Sequence, residues 1–458
     1  MLLYQFLAFA AFGVFLCALY QYGFFSKLQP SSLFILIFLI QYGPLLLVDV
    51  RHPHDDDLIA GLGIADFGPI IAQYTYTSLT LAYLCLAAGF LIGDFALKKM
   101  FPSISSADYT GNRTLSLQIK MSLERIYLFL LIVAGICTIL FLSLEIVREK
   151  ISFFSSILSG RASGTDYMYF RRYTLGTDPL YREIVRLRMT ISMPIMASLA
   201  AYGAYLGRPK LEMIAVFIVF SAVTILDLTK QGTVVALLEF LFSIYIVYRN
   251  GVLPSPKIIF IPMIFISILF FTVLLVLYGL QYSGVQGMGL QKLIHVLFYR
   301  VIYMNGDVIG LYFVFFQHPL FAKGVTTSSV LATIFHKQIF DETQYIPQVY
   351  GGVSSFPTVY FAGMWVDFGW IGIMLSSIAV GGICALADHT TRILHSIPMR
   401  AAYTACMFFS LNYFAEVQFF TCLLSYGIGV VIIGFLLLDY FVLQLTTYST
   451  PALRGAEV

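Results

Sequence analysis

At 458 residues, 59% hydrophobic and only 11% charged, the chain carries too little charge to cover a water-soluble protein of its length. Its mean hydropathy of +0.86 and its several apolar runs longer than about 18 residues predict a polytopic helical membrane protein. The formal net charge of +3 decides nothing by itself, and no nucleic-acid partner is expected.

Taken in chain order, apolar runs predict about eleven spans, near residues 3–23, 33–49, 76–96, 125–144, 189–206, 211–228, 232–248, 258–280, 370–388, 401–415 and 418–443. The runs are continuous and lack two-residue alternation, which excludes a membrane β-barrel and predicts an all-α polytopic protein, one integral membrane domain over 1–458. Neither an internal repeat nor a pair of inverted halves, the usual mark of a transporter, is visible. Met1 opens directly into an apolar span with no basic stretch and no small-residue cleavage pattern, so no signal peptide is expected. Cys17, Cys85, Cys137, Cys384, Cys406 and Cys422 all fall inside apolar spans and read as small buried hydrophobes, neither a disulfide framework nor a metal site.

Sidedness follows from basic residues in the short connections. One set holds Lys27, Lys98, Lys99, Arg113, Lys120, Arg125, Arg208, Lys210, Arg249, Lys257, Arg392, Arg400 and Arg454; the opposite set holds only Arg51 and Lys230. The first set is expected in the cytoplasm, with the amino terminus outside and the carboxyl terminus inside. The two long connections, 145–188 and 281–369, then fall outside. Counting their basic residues erases the bias, so the short connections decide, where the rule is strongest.

The first long connection is rich in arginine: Arg161, Arg171, Arg172, Arg182, Arg186 and Arg188 lie within "GRASGTDYMYFRRYTLGTDPLYREIVRLR". Arg182, Arg186 and Arg188 fit a helix end, snorkelling or pairing with Glu183. Arg161, Arg171 and Arg172 sit instead among Gly160, Gly164, Gly176 and aromatics, in loop chemistry. Their planar forks suit a bidentate grip on phosphate oxygens, which at the outer leaflet belong to a lipid-linked diphosphate. In the second long connection, "HVLFYRVIYMNGDVIGLYFVFF" carries Arg300, Asn305 and Asp307; Arg300 and Asp307 share a helical face, which predicts an amphipathic helix on or dipping into the membrane. Further on, His336, Lys337, Asp341 and Glu342 lie among glycines and aromatics. Such a mixture suits sugar binding, although aromatics near an interface are also belt residues.

Two lone charges stand at outer turns. Lys230, in "LDLTKQGT", has Asp227 as a local partner; Glu416, in "NYFAEVQFF", occupies the turn between the last two spans. Ionisable groups at such depth are functional candidates, against the plainer readings of an ion pair and a solvated turn. Asp55 and Asp57, after His52 and His54, could hold a divalent cation, but nothing completes a ligand set by spacing. Phosphate-loop, His-Glu-x-x-His and Gly-x-Ser-x-Gly motifs are missing, so ATP-driven chemistry is not indicated.

With its many spans, two long arginine-bearing outer loops and the late "FPTVYFAGMWVDFGWIGIM", the chain resembles the bacterial polysaccharide repeat-unit polymerases (the Wzy O-antigen polymerases). The late segment follows a loose family pattern, an aromatic stretch and then Gly363, Phe368, Gly369 and Gly372; the Arg300-to-Gly310 spacing is also similar, one residue shorter than the familiar form. Family members often carry Glu after the first Gly, whereas this chain has Met364, so a role for that acid does not transfer. The resemblance implies a GT-C-type membrane glycosyltransferase of the bacterial inner membrane, its active site facing the periplasm. Donor and acceptor would be oligosaccharides on undecaprenyl diphosphate; membrane lipids and a chain-length regulator protein are the other expected partners.

That chemistry needs cations where charge develops on the departing diphosphate, a role assigned to Arg161, Arg171, Arg172, Lys230 and Arg300. It also needs a base for the attacking sugar hydroxyl, with Glu416, Asp166 and His336 as candidates. Tyr169, Tyr303 and Asn305 are candidates for holding substrate. With arginines carrying the charge, neither metal nor cofactor is required. The similar O-antigen ligases, which pass the same donor to lipid A core, and a lipid-linked oligosaccharide flippase are the alternatives.

Overall fold

The computed structural model describes residues 1–26, 28–47, 68–101, 117–143, 191–225, 230–253, 304–340, 359–425 and 427–448, with 152, 156, 291 and 345–346 between them. Helix α1, Leu2–Tyr22, runs without a breaker until Gly23, whose left-handed conformation (φ 83°) turns its N–H back onto the last carbonyls. Helix α2, Ser32–Tyr42, tightens into a 3-10 turn at Pro44–Leu47, and α3 is the long Gly68–Met100. Then come α4 (Leu117–Ser143), α5 (Met193–Tyr205), α6 (Lys210–Ile225), α7 (Lys230–Tyr248) and α8 (Met304–Phe315). A small hook follows: strand β1 (Val325–Thr326), helix α9 (Ser329–Phe335) and strand β2 (Gln338–Ile339). The chain closes with α10 (Tyr360–Ile393), α11 (Ile397–Ser410) and α12 (Ile428–Tyr448).

Among the described residues, five helices are long and apolar enough to cross a membrane: Leu2–Tyr22, Gly68–Met100, Leu123–Leu140, Tyr360–Ile393 and Thr421–Phe441. Helices α2, α5, α6 and α11 occupy other positions where the sequence predicts spans but are shorter, and in α7 the apolar helix is Val235–Tyr248. The span expected at 258–280 lies outside the described residues.

The class is helical, as expected; the sheet among the described residues is a pair of two-residue strands, β1 and β2, parallel, with Val325 beside Gln338 and Thr326 beside Ile339. Of the amphipathic helix expected on or dipping into the membrane, the described part begins at Met304: α8 is buried from Asp307 through Phe313.

The chain divides into two compact units. Unit 1 comprises residues 1–96, 255–386 and 411–423. Its core is aromatic, with Phe15, Phe34, Phe38, Tyr42, Tyr83 and Tyr360 fully buried. Ring pairs meet at an edge, as Phe38 with Tyr83 (5.7 Å, 79°) and Phe34 with Phe414 (6.0 Å, 68°), the arrangement ring quadrupoles favour. Within it α3 and α10 run parallel: Tyr74 packs on Trp365 and Trp370, and Gly93, further along, on Gly382 and Ala385. Parallel helices are what the span assignment requires, because both are expected to enter from the outer side.

Unit 2 comprises residues 97–254, 387–410 and 424–458. Its centre is α11, buried from Pro398 to Ser410 and packed on α5, α7 and α12. The Arg400 Nη2 donates to the Leu394 carbonyl at 2.9 Å, satisfying the end of α10, and His395 Nδ1 lies 2.9 Å from Asp439.

Candidate functional site

The functional candidate with the most structure around it is Glu416. After Ser410 the helix of "AAYTACMFFSLNYFAEVQFF" does not continue: the backbone tightens into a 3-10 turn over Leu411–Ala415. Asn412, a residue that competes with helical hydrogen bonding, sits at that transition. The N–H groups of Glu416 and Val417 both donate to the Tyr413 carbonyl (3.0 and 2.8 Å). A π-helical turn follows at Thr421–Ser425, and Gly427 (φ 73°) leads into α12.

Irregular backbone is tolerated at membrane depth only where protein surrounds it and its polar groups find partners. Both conditions are met. Leu411 through Ala415 are buried, the Tyr42 hydroxyl donates to the Ala415 carbonyl at 3.0 Å, and the Cys422 thiol donates to the Val417 carbonyl at 3.3 Å. Phe414 packs among Phe34, Tyr360 and Phe419 with ring centroids 6.0–6.2 Å away. Glu416 itself is half-buried, and its charge is felt at Tyr42 and Cys422. The side-chain oxygens of Asn412 and Gln41 are buried without a hydrogen-bond partner among the described residues. Asn412 stands on the turn that leads into Glu416, and such an acceptor suits a ligand that brings hydroxyl donors.

The late glycine-aromatic segment meets this break. A Cβ on Gly363 would lie 2.7 Å from Cγ of Gln418, so glycine is what lets Gln418 lie against α10. Six residues on, α10 bends at Gly369 (φ 64°, ψ −143°), a conformation that side chains resist.

Just before the bend stands a second carboxylate, Asp367, 1% exposed. Its Oδ1 accepts the Thr327 N–H at 2.8 Å; its Oδ2 accepts the Thr327 hydroxyl at 2.8 Å and the Thr326 hydroxyl at 3.0 Å. Beside it the Leu320 N–H donates to the Val366 carbonyl (2.8 Å) and the Trp365 indole donates to the Phe316 carbonyl (2.8 Å). Pro319 covers Gly369. The stretch from Phe316 to Thr327 is thereby latched to the first turns of α10.

Glu416 is thus the one predicted catalytic candidate that the described residues join to the late segment. His336 stands exposed at the C-terminal cap of α9 (φ 51°). Lys230 opens α7 in unit 2, and Asn305 lies in the first turn of α8; only their backbone is described. Asp166, Arg161, Arg171, Arg172, Arg300, Tyr169, Tyr303, Asp55 and Asp57 lie outside the described residues. Sequence reasoning passed over Asp367, Asn412, Gln418 and Tyr42. Asp367 carried a usable signal, an acid inside an apolar stretch; Tyr42 and Gln418 carried none, because only the tertiary fold brings them here. The chain matches no family model, no curated protein and no solved structure.

Proposed function

We propose that this protein is a membrane glycosyltransferase that polymerises lipid-linked oligosaccharide repeat units. The observation that carries the reading is the half-buried Glu416 in a helix break that packs on the glycine-aromatic segment through Gly363 and Gln418.

A hydroxyl oxygen of the incoming unit attacks the anomeric carbon of the growing glycan, forming the new glycosidic bond. The bond from that carbon to the diphosphate breaks, and its electron pair leaves with undecaprenyl diphosphate. The hydroxyl proton passes to Glu416 as general base. Arg161, Arg171, Arg172, Arg300 and Lys230 supply the positive charge that stabilises the departing diphosphate, and no cofactor enters the scheme. The parallel packing of α3 and α10 supports the span order in which Glu416 and both long connections share the periplasmic side.

A helix broken in its middle is also how many transporters build a substrate site, so translocation of the lipid-linked unit is the second reading. The surface glycan of a deletion strain separates the readings. Single-unit caps are the expected outcome and mean a lost polymerase. Polymer stranded on undecaprenyl diphosphate would mean a ligase, and no repeat units in the outer leaflet would mean a flippase; either would overturn the proposal.

A further inference from the structure

The hook formed by β1, α9 and β2 has a surface that the proposed chemistry does not use. Ile334, Phe335 and Ile339 are 62%, 52% and 59% exposed, on an element where the charged side chains of Lys323 and Lys337 also reach the surface. Phe335 and Lys337 meet on one ring: the Phe335 ring lies 5.4 Å from that of Phe321, and the Lys337 ammonium sits over the Phe321 ring, 5.1 Å from its centroid. Asp367, which holds the hook to α10, is buried with both its oxygens turned to Thr326 and Thr327. Asp341 and Glu342 follow in sequence, outside the described residues.

The height of the hook is set by its latch. Helix α10 has 34 residues, which would be about 51 Å if straight, against a hydrocarbon layer of about 30 Å. Some turns therefore stand beyond the hydrocarbon. The chain's two tryptophans, Trp365 and Trp370, flank the bend at Gly369 and pack against each other at 4.7 Å and on Tyr74. Trp370 and Tyr74 are part-exposed beside the bend, and such residues collect at the membrane–water boundary, which puts the bend, and the hook tied to it by Asp367, at headgroup level. Exposed aliphatic and aromatic groups interleaved with lysines at that level fit a bilayer surface: the apolar groups enter the acyl boundary and the ammonium groups meet phosphates.

We propose that the β1–α9–β2 hook is a membrane-surface anchor that seats on anionic phospholipid headgroups. The proposal is independent of the glycosyltransferase reading. It is tested on the full-length protein carrying Phe335→Cys labelled with an environment-sensitive fluorophore, the labelled parent protein correcting for native cysteines. The protein is reconstituted into vesicles of phosphatidylcholine alone, or of equal parts phosphatidylcholine and phosphatidylglycerol. Quenching by lipids with a shallow acyl-chain quencher should dominate over quenching by aqueous iodide in the anionic vesicles. Each of Lys323→Gln and Lys337→Gln should lower the membrane-seated population about fivefold, the factor for one cation near an anionic surface. An Ile339→Cys reporter repeats the measurement at the other end of the hook. Iodide quenching equal to that of free dye at both reporters overturns the anchor. Lipid quenching that ignores both the lysines and phosphatidylglycerol overturns the choice of anionic headgroups.

Discussion

Asp367 and Glu416 are acids of the same unit, one in the first turns of α10 and the other on the turn that packs against them, and their surroundings differ. Asp367 is surrounded by donors: two hydroxyls and an amide, all within 3.0 Å, hold a side chain that is almost wholly buried. Glu416 sits on a turn where the helix has been interrupted, half-buried, with the neighbouring carbonyls already satisfied by Tyr42 and Cys422. A carboxylate whose lone pairs are filled by fixed donors stabilises a loop. The comparison sets a structural acid beside the proposed catalytic one within a single unit, and it can be broken.

The largest expected effect is at Glu416. Glu416→Gln keeps the size and most hydrogen bonding but cannot take a proton, so elongation of lipid-linked substrate by purified protein should fall about 100- to 10,000-fold. Donor binding and thermal stability should remain close to wild type. Elongation at the wild-type rate would move the base elsewhere, with Asp166 and His336 next in line.

Asp367 should show the reverse pattern. Asp367→Ala leaves the buried Thr326 hydroxyl and the Thr327 N–H and hydroxyl without their acceptor, a loss of about 3 kcal/mol in detergent-solubilised unfolding. Asp367→Asn, which keeps one acceptor oxygen, should lose less. If Asp367→Asn is as stable as wild type yet as inactive as Glu416→Gln, Asp367 is not structural and the distinction collapses.

The helices were largely legible in the sequence because apolar runs longer than a membrane's width leave few alternatives, and α1, α3 and α10 stand where those runs predict. The order of the spans even anticipates that α3 and α10 run parallel. What escaped was long-range. Thr326 and Thr327 bond to an acid about forty positions away, and nothing local in "GVTTSS" announces it. The two-residue strands are too short to carry a period. For α8, the seven-residue spacing of Arg300 and Asp307 predicts a polar face, and nothing local shows that Asp307 is buried with the apolar residues after it. At Glu416 the turn was readable, but its buried setting depends on Tyr42 and Gly363, which only the tertiary fold brings near.

A third, smaller effect belongs to the bend that separates the latch from the rest of α10. Gly369→Ala puts a side chain at φ 64°, ψ −143° and a Cβ 3.1 Å from Cγ of Pro319. About 1–3 kcal/mol of stability should be lost, read as a lower unfolding midpoint. Because the bend serves the latch, the activity remaining per folded molecule should exceed that of Glu416→Gln by at least about tenfold. Parity between the two variants would tie the bend directly to catalysis.

The smallest effect probes the latch one bond at a time. Thr326 is fully buried; its hydroxyl donates to Asp367 Oδ2 at 3.0 Å and accepts the Ser328 N–H at 3.2 Å. Thr326→Val preserves the shape and removes both bonds, while Thr327 still supplies two donors to the carboxylate. The expected cost is about 0.5–1.5 kcal/mol, and Thr326→Ser should recover most of it by restoring the hydroxyl. Combined with Asp367→Asn, the loss should be less than the sum of the two single losses, since both changes weaken the same contact. Additive losses would mean that the Thr326 hydroxyl stabilises the turn through Ser328 alone, leaving Asp367 bonded only to Thr327.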